Sequence, residues 1–415
     1  MSLVKGNCIV AQSGGPTAVI NSSVYGVLKR FLEVSEGGKV YAGANGIQGI
    51  IEGKIFDLGA LDSSEQEMLK YMPSAALGSN RYKLKDPKTM PEEYENIFST
   101  FEKLDIKYFF YVGGNDSMDA ASKLNEYAQA NGHDVKIFGV PKTIDNDLVG
   151  TDHCPGFASA AKYICNTAIE CWMDVNCYKD EGIIIIEVMG RDTGWLAASS
   201  GIIQKAVPDV NQLIYLPEAP FTESKFIEDV KKAREKNGKI LIIASEGLKD
   251  ENGEYINIDS NCYSSDAFGH KQLGGIGRYL QEVIKENIHN RVKMIELNIT
   301  QRCARHCASK TDIDEAIMVG EAAVDYAIKG ISGYMVGIKR TTDKGYKAVA
   351  DLVPLNEVCN MVKKVPVEWI NIEKATVNQE MIDYIEPLIV DQVDSFQSNG
   401  LVKYVNLTKK FVNLD

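Results

Sequence analysis

The sequence has no long apolar run: nothing in its 415 residues approaches the ~18 consecutive apolar positions of a membrane helix, and the longest stretches, "GIIIIEV" and "IKYFFYV", are of strand length. A helical membrane span is therefore excluded. Basic charge is also short, with 45 Lys and Arg against 57 Asp and Glu, a formal charge of −12. An acidic chain has no general attraction for nucleic acid or anionic lipid, so neither is expected as a partner, and any anionic ligand needs a local basic pocket. Cysteine lacks a pairing pattern: the nine thiols are odd in number and scattered, as suits reduced cysteines in a cytoplasm. Only "CARHC" (Cys303, His306, Cys307) gathers metal-ligand types. It has no second ligand pair, and structural zinc wants four ligands, so buried thiols are the expectation there. No secretory leader is recognised and a cytoplasmic location is expected. Tandem repeats, low-complexity tracts and Gly/Ser/Pro-rich linkers are absent too, so two domains are expected to share the chain discontinuously, with crossings near 150 and 300.

What is present is an alternation of strand-like and helix-like segments. Strands are expected at 7–11, 39–42, 107–112, 136–140, 182–188, 212–216, 239–244, 292–298 and 333–338. Helices are expected at 17–34, 91–104, 117–131, 156–176, 193–205, 222–236, 271–287 and 311–329. This rhythm predicts an α/β fold of mainly parallel sheets covered by helices on both faces, and the unbroken apolar strands suit burial on both sides. Beyond about 350 the rhythm fades, and 346–415 is expected to be a largely helical extension.

Ligands of open parallel sheets bind beyond the carboxyl ends of strands, and four such places are chemically loaded. In "IVAQSGGPTAVIN", Gly14 and Gly15 could bring backbone N–H groups to a phosphate ahead of a helix, or simply serve the turn. In "YFFYVGGNDSMDA", Gly114 offers the same, while Asn115 and Asp116 could cap the next helix. "VPKTIDNDL" is the most informative. Lys142, Thr143, Asp145 and Asp147 fall within six residues, a density suited to proton transfer and phosphate handling. Asp145 could take a hydroxyl proton, Asp147 could hold a metal or orient its neighbours, and Lys142 could neutralise a phosphoryl group. In "IIIIEVMGRDTGW", Arg191 after a strand-end glycine suits phosphate binding, or is a surface arginine.

Taken in order, "SGGPTAVIN", "GGNDS", "PKTIDNDL" with "GTDHCPGF", "EVMGR", "IASEG" and "ELNITQRCARHCASKTDIDEA" resemble the phosphofructokinase family over about residues 5–340. Beyond that match, the final ~70 residues resemble the tail of its pyrophosphate-using branch. The resemblance implies two Rossmann-like, three-layer domains with the active site in the cleft between them. Residues 1–155 plus 301–345 would form the phosphoryl-donor domain and 156–300 the sugar-phosphate domain. It also implies Mg2+-assisted, reversible phosphoryl transfer to the 1-hydroxyl of fructose 6-phosphate, in a homodimer or homotetramer. On the matching motifs, Asp145 would be the general base. Thr143 and Arg191 would contact the moving phosphoryl group, and Asp147 would support the base or the metal. Ile144, Met189, Gly190, Glu246, Lys293 and the "ITQR" segment from Ile299 to Arg302 would hold the sugar phosphate. Gly14, Gly15, Arg81, Gly114, Asp116 and Lys142 would face the donor.

The donor is where the motifs diverge. ATP users resemble one another in "GGDGS" and "PGTIDND"; here the variable glycines are Asp116 and Lys142. A carboxylate there fills the space that the rest of a nucleotide needs. About 4 Å from a phosphate charge, it costs roughly 4 kcal/mol at an effective dielectric near 20. Pyrophosphate has no such substituent, and Lys142 gives its charge a partner. ATP-dependent transfer is the alternative, with Asp116 turned aside to cap the helix; a non-catalytic sugar-phosphate-binding relative is the other. Asn115 stands where the family's usual magnesium aspartate lies and would be a Mg2+ ligand through its uncharged amide oxygen. Gly182 replaces an arginine that in many relatives reaches a neighbouring subunit's sugar phosphate. Lys293 replaces another arginine, keeping charge but not the bidentate fork.

Overall fold

The structure is a computed structural model that describes residues 4–256, 273, 275–341, 345–393, 397–398, 401–407 and 410–414. Eleven strands build its two main sheets: β1 (Asn7–Gln12), β2 (Val40–Gly43), β3 (Ile55–Asp57), β4 (Ile106–Gly113), β5 (Lys136–Pro141), β6 (Gly182–Val188), β7 (Gln212–Tyr215), β8 (Lys239–Ser245), β9 (Val292–Glu296), β10 (Tyr334–Thr341) and β11 (Lys347–Pro354). The first sheet has seven strands in the order β11-β10-β5-β4-β1-β2-β3, and the second has four in the order β7-β8-β6-β9. All pairings in the second sheet are parallel. In the first, only the edges β3 and β11 run antiparallel.

Alternate residues of one strand enter opposite cores, which makes each domain three-layered. Cys8 and Val10 join one cluster while Ile9 and Ala11 join another. Ile184 and Ile186 face one way and Ile183 and Ile185 the other. Strands buried on both faces need no polar alternation, which is why these segments read as continuous apolar runs. The helix Lys310–Ala327 returns to the first domain and packs on Ile20–Val34. A Cβ on Gly26 would lie 2.3 Å from the Ile317 carbonyl oxygen, so the two backbones approach closely there.

Strand order reverses between β4 and β1 in the first sheet and between β6 and β9 in the second. Those reversals open crevices at the carboxyl ends of the strands. The four motifs singled out above lie at the ends of β1, β4, β5 and β6, so topology alone brings them toward one cleft.

All nine expected strands form, with small differences in extent. The helix expected over 193–205 breaks into Trp195–Ser199, a tighter turn Ser200–Ile202 and Ile203–Ala206. The Ser199 and Ser200 hydroxyls donate to the Leu196 and Ala197 carbonyls at 2.7 and 2.6 Å, and such back-bonding distorts a helix. Residues 271–272 and 274 of the expected helix 271–287 lie outside the described residues; the helix runs Ile276–Asn287. The tail differs most. In place of a largely helical extension, 346–415 opens with β11, which pairs along the whole of β10. It then crosses to the second domain, where Met381, Tyr384 and Ile385 enter the core. Finally it returns to the first, where Val405 and Leu407 are buried. Its elements are too short and half-exposed to show a period in sequence.

Candidate active site

The turn after β5 is the centre of the cleft. The Lys142 N–H donates to the Gly113 carbonyl at 3.0 Å, tying this turn to the one after β4. The buried Lys142 ammonium donates to the Gly15 carbonyl at 2.7 Å, and a Cβ on Gly14 would lie 3.3 Å from Nζ. Three of the predicted segments thus meet at one lysine. Burial pulls its pKa down to about 8, against the attraction of Asp145 and Asp147.

Asp145 is held by backbone contacts from both domains. Its N–H donates to Thr143 Oγ1 at 3.1 Å, and its carbonyl accepts from Thr193 Oγ1 at 3.0 Å. Burial, then the nearby charges of Asp147 and Glu246, push its carboxyl up to about 7. Burial also raises Asp147, whose Oδ1 has no hydrogen-bond partner among the described residues. The turn needs Asn146 in the left-handed region (φ 55°), and its amide locks it, accepting from Cys154 N–H at 2.9 Å and donating to Tyr384 Oη at 2.8 Å.

Across the cleft, Gly190 has φ 131°; a Cβ there would stand 2.5 Å from the Thr193 carbonyl oxygen. Its N–H donates to Glu246 Oε1 at 3.3 Å and the Met189 N–H to Gln301 Oε1 at 3.1 Å. Arg191 and Glu246 lie close enough to Asp145 to bias its ionisation, in opposite directions. Arg302 reaches over to the donor side: a Cβ on Gly15 would be 3.0 Å from its Nη1, and Arg81 is its main like-charge neighbour. The Nε atoms of Arg191 and Arg302 are buried without hydrogen-bond partners among the described residues. Two guanidinium groups, an ammonium and Arg81 around glycine turns form the basic pocket that an acidic chain needs for an anionic ligand.

Some expected residues sit elsewhere. Lys293 is half-exposed on β9 and ion-paired to Asp174 at 2.6 Å, outside this chain's own cleft. Ile299 is exposed, and Ile144 is buried in the second domain's core. Asn115 does not present itself to a metal. Its Oδ1 accepts from the Asn360 N–H at 2.7 Å, and its Nδ2 donates to the Met361 carbonyl. The N-cap of Asn115–Asn131 is Gly114, which has no side chain to cap with, and Asp116 lies in the first turn. Among the described residues no cluster of three or more His, Cys, Asp or Glu is arranged around a cation position. Cys303 and Cys307 are partly exposed free thiols rather than buried ones. Sequence reasoning missed Thr193 and Lys363. Thr193 lies two residues beyond the "EVMGR" motif, while nothing in the tail's sequence marks Lys363.

The phosphofructokinase family model matches residues 7–327. The chain belongs to the phosphofructokinase family. This member is 38% identical over 98% of its length to the pyrophosphate–fructose 6-phosphate 1-phosphotransferase of Xanthomonas campestris pv. campestris (strain B100), covering 97% of that protein. It is 37% identical over 97% of its length to the protein of the same description from Halomonas elongata, covering 96% of that protein. Its fold superposes on the crystal structure of a pyrophosphate-dependent phosphofructokinase from Marinobacter aquaeolei with a TM-score of 0.87 at 34% identity, covering 99% of this chain and 98% of the other. Phosphofructokinases generally use a divalent metal. Among the described residues, no helix is long and apolar enough to cross a membrane.

Proposed function

We propose that this phosphofructokinase transfers a phosphoryl group from inorganic pyrophosphate to the 1-hydroxyl of fructose 6-phosphate, giving fructose 1,6-bisphosphate and phosphate, reversibly, in glycolysis and gluconeogenesis. The observation that carries the reading is the Lys142 ammonium seated on the Gly15 carbonyl at 2.7 Å, inside the donor turns and facing Asp145. It places a cation where a short donor's charge must sit. Asp116 lies in the first turn of the neighbouring helix, where a carboxylate would take the space a nucleotide needs.

Asp145 accepts the proton of the attacking hydroxyl, and its raised pKa near 7 suits a base that must also return that proton in the reverse direction. Thr143 and Arg191 contact the moving phosphoryl group. Arg81, Arg302, Lys142 and the N–H groups of Gly14, Gly15 and Gly114 hold the donor. Met189, Gly190 and Glu246 hold the sugar phosphate. Mg2+ neutralises charge on the transferring group when bound, and the orphaned buried Oδ1 of Asp147 fits that role where the Asn115 amide, already bonded on both sides, does not. The enzyme works in the cytoplasm as a homodimer or homotetramer.

The test is the ratio of initial rates with pyrophosphate and with ATP, in wild type and Asp116→Gly. Pyrophosphate should be the preferred donor. The variant should shift the ratio toward ATP by up to about three decades, the equivalent of roughly 4 kcal/mol. A wild-type preference for ATP would sink the reading, and an unchanged ratio in the variant would remove Asp116 from donor choice.

A further inference from the structure

Residues 359–365 run between the two domains with an inverted pattern: Met361 and Val362 are exposed by 56% and 46%, while the Lys363 side chain turns inward. Apolar burial pins only the end of this segment, at Val365, and does not place Asn360 to Lys363. Polar contacts do, and each reaches a part of the site. The Asn360 N–H and the Met361 carbonyl grip the amide of Asn115, in the donor turn. The Lys363 N–H donates to the Asp147 carbonyl at 2.8 Å. Its ammonium donates to the carbonyls of Thr151 and Asp152 at 3.1 and 2.8 Å, and stands 5.1 Å from the centre of the Trp195 ring. The Trp195 indole N–H donates to the Lys363 carbonyl at 2.9 Å. The Val365 N–H donates to Glu218, which also accepts from Gly194, just before that tryptophan.

One residue therefore grips the catalytic turn at Asp147, Thr151 and Asp152, and anchors it to the sugar-phosphate domain through Trp195. We propose that Lys363 is a positioning residue for phosphoryl transfer. Its contacts hold the 145–152 turn so that Asp145 meets the sugar hydroxyl in line with the donor, and Asn115 is the buckle that fixes the segment bearing it. This rests on the assignment of Asp145 as the base. Lys363 does not touch the reacting atoms. Its effect comes from geometry, to which catalysis is steeply sensitive, about a hundredfold for an ångström of misplacement.

The experiment compares Lys363→Met, which keeps the stem and loses the charge and donors, with Lys363→Arg, which keeps both. In Lys363→Met, kcat should fall about 10- to 100-fold, while KM for fructose 6-phosphate and for pyrophosphate stays within about threefold. Lys363→Arg should recover most of kcat. A folded Lys363→Met enzyme with wild-type kcat, or equal losses in Met and Arg variants, overturns the proposal. If Lys363→Met does not fold, Trp195→Phe removes the indole donor to the Lys363 carbonyl together with part of the ring beside the ammonium, and a thermal melt confirms that it folds. It should lower kcat several-fold at constant KM, and an unchanged kcat overturns the proposal as well. Asp145→Asn, measured alongside, separates the two assignments. An active Asp145→Asn enzyme removes the base, whereas an inactive one beside a normal Lys363→Met enzyme removes only the positioning role.

Discussion

Lys142→Met tests the centre of the site. The ammonium lies 2.7 Å from the Gly15 carbonyl, fully buried, with Asp145 and Asp147 as its carboxylate neighbours. Methionine keeps most of the stem, so the fold loses chiefly one hydrogen bond, at about 1 kcal/mol. The donor loses much more. A phosphate charge about 4 Å from the ammonium gains roughly 4 kcal/mol at an effective dielectric near 20, which corresponds to about three decades in kcat/KM. Losing the cation also raises Asp145 further, since Lys142 is one of the charges holding it down. The assay is steady-state kinetics in both substrates, with a thermal melt to show that the variant folds. The expected result is a fall of about a thousandfold in kcat/KM for pyrophosphate, with the fructose 6-phosphate KM little changed. A folded variant losing less than about tenfold would refute the reasoning. An independent signature is the alkaline limb. The Lys142 pKa near 8 means the charge, and with it donor capture, is lost as pH rises through that value. Lys142→Arg keeps its charge at every working pH, so it should carry that limb upward; a limb that stays put belongs to another group.

Asp145→Asn should lose at least about two decades of turnover. In wild type the forward rate should rise as pH passes about 7 and the base ionises, while the reverse rate, which needs the protonated acid, should fall over the same range; flat profiles would place the proton elsewhere. Gly190→Ala forces a Cβ to 2.5 Å from the Thr193 carbonyl oxygen and 2.7 Å from Ser245 Oγ in a left-handed backbone. It should raise the fructose 6-phosphate KM by about tenfold or more and cost about 1–3 kcal/mol of stability, read by saturation kinetics and chemical denaturation; wild-type values in both would show that the turn tolerates a side chain.

The sequence by itself determined the alternation of elements, the parallel sheets and the motif-bearing turns. Each of these is local: a strand such as "GIIIIEV" is apolar throughout because both its faces are buried, and a glycine turn with polar residues follows it within a few positions. It also determined the chemistry available at each turn, since Lys142, Thr143, Asp145 and Asp147 sit within six residues of one another. Only the tertiary structure decided which groups from distant parts of the chain share that space. Arg302 reaches Gly15 across the cleft, although the two are far apart in sequence. Lys293, with the same charge, is turned outward to Asp174 by the alternation of β9. The motif makes Asn115 a metal ligand, yet its amide is taken by Asn360 and Met361. Those partners lie in a tail whose short elements carry no hydrophobic period, so nothing in its sequence marks where it lies. Backbone hydrogen bonds from an unpatterned segment are invisible in sequence because every residue type can make them, and in this protein they decide what Asn115 and Lys363 do.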